Sequence, residues 1–127
     1  MGARLKYAKV IDRQLFYDKG GRVHPGLDNE ILLPEEPGIA AAFLVLRGWG
    51  DDHGTCTEIW RLKTPGGTTL YESTPREIHL ATPEHVEKLE DEVADLKVLY
   101  ATDDYEVVFS LDGREVARAT VPVRVTD

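Results

Sequence analysis

Cysteine is almost missing from this chain. Cys56 is alone among 127 residues, so no disulfide can form within the sequence and no oxidising compartment is required. No apolar run approaches the roughly 20 residues that cross a bilayer, and residues 1–7 lack an apolar core of signal-peptide length. Glycine (11) and proline (7) are both modest, which excludes collagen-like and low-complexity classes. Phosphate-cradling loops are absent too, because neither Gly20-Gly21 nor Gly66-Gly67 is followed by Lys-Ser/Thr. The expectation is a cytoplasmic protein with no membrane association, folded as a single domain over residues 1–127.

Charge is plentiful but uneven. The net charge is −8, and residues 84–106 alone hold nine acids against Lys88 and Lys97. Residues 1–24 are basic, with six cations against Asp12 and Asp18. A phosphate backbone needs clustered cations that release counterions, and the acidic segment opposes that. The chain also lacks a Gly-aromatic RNA-binding run and zinc-finger spacing of Cys and His. These points predict no nucleic-acid partner. The two poles either attract one another or form ordinary solvated surface.

The dominant pattern is β. Tyr105, Val107, Phe109 and Leu111 alternate with Glu106 and Ser110, then Asp112-Gly113 supplies the positive φ angles of a tight hairpin. Ala117, Ala119, Val121, Val123 and Val125 alternate after it, and Pro122 requires an edge or bulge because it has no N–H. Residues 39–46 are apolar on both faces and read as a central strand, followed by a loop over 48–54. Further strands are expected over 5–11, 14–18, 29–33, 55–63, 68–72 and 76–81. One helix is expected from Thr82: Pro83 suits its first position, and Val86, Leu89, Val93 and Leu96 make one apolar stripe. Glu90, Asp91 and Glu92 then form its wet side. The fold class is mainly β, an antiparallel two-sheet sandwich with one short helix before the last strands; a small barrel is the alternative.

Asp103-x-Tyr105-x-Val107-x-Phe109 resembles strand F of an immunoglobulin-like sandwich, and Trp60 resembles the buried Trp of its strand C. The chain as a whole resembles small bacterial proteins of that fold. Tyr7-Ala8-Lys9-Val10-Ile11-Asp12, Pro37-Gly38-Ile39 and the closing Asp-Gly hairpin carry the likeness. It implies a tyrosine hydroxyl bonded back across a corner, and it implies no catalytic residue.

Gly48-Trp49-Gly50-Asp51-Asp52-His53-Gly54 is the candidate site. Its two carboxylates and imidazole offer metal ligands, with Cys56 near in sequence, yet no partner pair at a diagnostic spacing exists elsewhere, and His24, His79 and His85 would have to fold in. The alternative is a polar turn. Trp49 has two readings: an exposed stacking platform or protein anchor, and a lid over the end of the core. Cys56 reads as a small buried hydrophobe, not a nucleophile using His53. The expected function is therefore a non-catalytic module making protein–protein or self contacts through a sheet edge, the Trp49 loop or the acidic helix. It needs no cofactor or metal and has a protein partner or a second copy of itself. The alternative is a small-ligand, sugar-type binder using Trp49, Asp51, Asp52 and His53, with a metal-dependent enzyme third.

Overall fold

Residues 2–22 and 27–126 are described by the computed structural model, and they are mainly β. His24 lies outside the described residues. The elements are β1 (Arg4–Asp12), α1 (Arg13–Asp18), β2 (Ile31–Leu33), β3 (Gly38–Ile39), β4 (Phe43–Gly50), β5 (Gly54–Lys63), β6 (Thr69–Glu72), β7 (Arg76–Leu80), β8 (Glu87–Val93), β9 (Lys97–Val98), β10 (Tyr105–Leu111), β11 (Arg114–Val121) and β12 (Val123–Val125). One sheet runs β1-β4-β8. A larger one runs β11-β10-β5-β6, with β7 also paired to β5. Two short pairs complete the set: β3 with β9 antiparallel, and β12 with β2 parallel.

Two units are distinguishable. Unit 1 comprises residues 1–8, 47–89 and 106–119, and unit 2 comprises 9–46, 90–105 and 120–127. The core of unit 1 is aromatic: Trp49, Trp60 and Phe109 are all at most 1% exposed, with Leu62, Ile78 and Leu80 around them. Unit 2 buries aliphatic residues from β1, β2, β4 and β12, with Phe16, Phe43 and Tyr105.

The hairpin expected from Asp112-Gly113 is present, with both residues at positive φ (50° and 83°). Asp112 also exchanges bonds with β5: its N–H donates to the Thr57 carbonyl, and its Oδ1 accepts from the Thr57 N–H, each at 2.9 Å. Pro122 falls between β11 and β12, and its carbonyl accepts the Ile31 N–H.

Three expectations are corrected. The helix predicted from Thr82 is absent: the Thr82 carbonyl closes one turn on the His85 N–H, and Glu87–Val93 is strand β8. As the outer strand of β1-β4-β8 it satisfies its backbone by pairing. Its alternating pattern half-buries Leu89, buries Val93 and leaves Lys88, Glu90 and Glu92 in water. The same apolar residues serve a period of two at one end and 3.6 along the whole stripe, so the sheet decided. Charges on such an edge also discourage pairing with foreign strands.

Conversely, the strand expected over 14–18 is helix α1. Its N-cap is Asp12, whose carboxylate accepts the Leu15 N–H at 3.1 Å, and Gln14 donates to Asp18 one turn on at 2.9 Å. Last, the apolar run over 39–46 is two strands, and Gly48–Gly50 belong to β4, leaving only 51–53 as the turn.

Candidate functional site

A period of two puts Arg47 and Trp49 on one face of β4, and Glu58 on the β5 face that also carries Cys56, Trp60 and Leu62. Strands β4 and β5 belong to different sheets, so these side chains meet in the interior of unit 1. Arg47 Nε donates to Glu58 Oε2 at 2.9 Å, Arg47 Nη2 donates to Glu58 Oε1, and Trp49 Nε1 donates to Glu58 Oε2 at 2.6 Å. Arg47, Trp49 and Glu58 are each fully buried. The arrangement is an ionic link between sheets in a chain that has no second cysteine. Between Arg47 and Trp49 in sequence, Gly48 is covered by the Tyr7 ring, where any Cβ would overlap the aromatic carbons. Burial raises the Tyr7 phenol, and the charge of Arg47 lowers it by a smaller amount.

The chemistry open to this cluster is narrow. Both Glu58 oxygens accept charge-assisted bonds from a guanidinium or an indole, so the carboxylate is closed to a substrate proton. Sequence reasoning missed Arg47 and Glu58. The available signal was parity: a charged residue inside a wholly apolar strand, and a glutamate on the inward face beside Cys56 and Trp60.

The candidate loop is placed as follows. Trp49 is 0% exposed, and its indole sits edge-on to Phe109 with ring centroids 6.2 Å apart. It is the lid over the core, not a platform. Asp51, at φ 64°, pairs with Lys6 Nζ at 2.8 Å. Asp52 accepts the Gly2 N–H at 2.6 Å and the His53 N–H at 2.8 Å, and these bonds hold its carboxyl below the usual range. The His53 side chain is exposed, with Nδ1 3.7 Å from Asp52. The loop is thus fastened to the start of β1. Among the described residues no group of three or more His, Cys, Asp or Glu is placed to hold a metal. Cys56 is buried, and burial pushes its thiol up, which disfavours the reactive thiolate. His79 meets Thr55 at 3.1 Å and His85 meets Glu87 at 3.1 Å, each exposed.

In unit 2, the Tyr105 hydroxyl donates to the Tyr100 carbonyl at 2.5 Å. Arg13 and Glu92 pair at 2.7 Å, joining the basic and acidic segments at one point. Arg124 pairs with Glu30 at 2.9 Å.

Charge divides between the units in a way the total conceals. Unit 1 holds nine bases (Arg4, Lys6, Arg47, Arg61, Lys63, Arg76, Lys88, Arg114, Arg118) against ten acids. Unit 2 holds six against thirteen. Several unit 1 cations are spoken for: Arg61 binds Glu72, and Arg118 binds Glu106 and Glu115. Arg4, Lys63, Lys88 and Arg114 make no ion pair among the described residues. Beside Arg114 lies a cavity of about 210 Å³ lined by Leu111, Asp112, Arg114 and Val116. Among the described residues no helix is long and apolar enough to cross a membrane.

No protein-family model matches the sequence, and no curated protein matches it. The fold is similar to that of the Pseudomonas fluorescens alkylpurine DNA glycosylase AlkC bound to DNA containing an abasic site analog, with a TM-score of 0.56 and 10% identity. The match covers 97% of this chain and 30% of that chain, so this chain spans under a third of its neighbour's length. That finding overturns two expectations, a non-catalytic module for protein or self contacts and the absence of a nucleic-acid partner. Net charge does not by itself fix the local potential, and the acids gather in unit 2.

Proposed function

We propose that this chain is an immunoglobulin-like sandwich domain that contacts DNA and serves a DNA-acting enzyme by holding the nucleic acid. The observation that carries the reading is the match of nearly the whole chain to part of a DNA-bound glycosylase. The sandwich assignment draws support from Tyr105, whose hydroxyl returns to a carbonyl five residues upstream, as at the corner before strand F. Trp60, 1% exposed on β5 and paired with Phe109, holds the place of the strand C tryptophan.

Contact with DNA is assigned to unit 1, where four cations lack ion-pair partners among the described residues and bases nearly match acids. Neither Glu58, closed by Arg47 and Trp49, nor the buried Cys56 is open to the nucleic acid, so the contact falls to the exposed cations. Phosphate contacts fix position without reading sequence.

Fluorescence anisotropy with a labelled short duplex tests the proposal, with and without an abasic analog. Binding with a Kd on the order of 10 μM that weakens steeply as salt rises is expected. Intact and abasic duplexes should bind alike. No change in anisotropy at low salt and protein near ~100 μM would refute it.

A further inference from the structure

We infer that the cavity at the β10–β11 turn is a seat for one DNA backbone phosphate, taken by Arg114, with the adjoining sugar lying on Val116. This deepens the DNA-contact reading and rests on it. Three properties of the place support the assignment. Arg114 is exposed and makes no ion pair among the described residues, whereas nearby Arg118 is held by Glu106 and Glu115. A guanidinium without a carboxylate can offer paired N–H donors to a phosphate at no cost in broken ion pairs.

Second, the cavity wall is mixed. Val116 is 43% exposed beside Leu111, giving an apolar shelf next to a cation. A phosphodiester with its deoxyribose presents the same alternation of anion and apolar ring, and about 210 Å³ is room for one such unit.

Third, the turn is tied to β5. Asp112 and Gly113 sit at the positive φ values of a tight hairpin, and Asp112 is bonded twice to Thr57 on β5. Among the described residues Asp112 supplies the one carboxylate lining the cavity, and its Oδ1 accepts the Thr57 N–H. Asp112 also fixes where Arg114 begins.

The test compares wild type, Arg114→Gln and Arg114→Lys for duplex binding over a salt series. Arg114→Gln should bind roughly three- to tenfold more weakly, and its slope of log K against log salt should fall by about one, since one phosphate contact is lost. Arg114→Lys should keep the slope and lose only part of the affinity. Arg114 is exposed, so an unchanged melting temperature is expected for both.

Backbone amide shifts of Gly113 and Val116 report on the cavity directly. They should move with duplex, and inorganic phosphate should not saturate them. If wild type binds duplex and Arg114→Gln binds with the same affinity and slope, this inference fails and the DNA-contact reading survives. If wild type binds no duplex, both fail. Saturation by inorganic phosphate that duplex cannot displace would make the cavity a free-anion site and overturn the assignment.

Discussion

Replacing Glu58 by glutamine changes few atoms and removes one charge from the interior of unit 1. Arg47 and Glu58 are both 0% exposed, so the guanidinium left behind cannot turn to water. Its partner oxygen at 2.9 Å becomes a neutral amide, and one end of that amide faces Arg47 or Trp49 with N–H against N–H. Breaking a buried pair from one side costs about 3–5 kcal/mol. At about 2 cal/mol/K per residue, unfolding entropy for a chain of this size turns each kcal/mol into roughly 4 °C. Glu58→Gln should therefore melt roughly 10–20 °C below wild type in differential scanning calorimetry. Replacing both partners by apolar residues, Arg47→Met with Glu58→Leu, should recover most of that loss, because no charge is stranded. A fall of less than ~3 °C for Glu58→Gln would refute the claim that this ion pair is desolvated and closed. A double variant no better than the single one would show that the geometry of the cluster matters more than its charge.

Other outcomes follow from the same reasoning. Tyr105→Phe should lose about 1–2 kcal/mol in urea unfolding, because the Tyr100 carbonyl loses its donor. Burial raises the Tyr105 phenol above its ordinary value, so its neutral form is favoured in the folded chain; that contribution is complete below about pH 10 and is lost as pH rises through the folded pKa. Wild type should therefore lose stability in strong alkali more steeply than Tyr105→Phe, and parallel curves would contradict the burial argument. Gly48→Ala should destabilise by about 2 kcal/mol or more, since its methyl overlaps the Tyr7 ring; Tyr7→Leu in the same chain should restore part of it. Cys56 should resist a thiol reagent until the chain is unfolded, and rapid stoichiometric labelling of native protein would show that β5 opens.

Much of this protein is local enough to be read residue by residue. Alternation on β10 and β11, the Asp112-Gly113 turn, the break at Pro122 and the tyrosine at the start of β10 depend on neighbours in sequence, and so they appear in it. Helix α1 was also legible in principle, through Asp12 as an N-cap and Gln14 with Asp18 one turn apart, but its six residues bury only Phe16 and show almost no periodicity. The acidic segment is the reverse case. Its stripe over Val86, Leu89, Val93 and Leu96 suits a helix, and only the presence of β4 beside it makes the strand the better way to satisfy the backbone.

By itself, the order of residues determined that the chain is mainly β, where its tight turn lies, and that Cys56 has no disulfide partner within these 127 residues. Only tertiary structure decided that Trp49 and Arg47 of β4 both reach Glu58 in a different sheet, and that the acids gather in unit 2 while Arg114 is left open beside a cavity. The physical reason is range. Turns and alternation are set by dihedral angles and neighbours two residues apart, whereas a buried charge or a local potential depends on which distant segments share the same few ångströms.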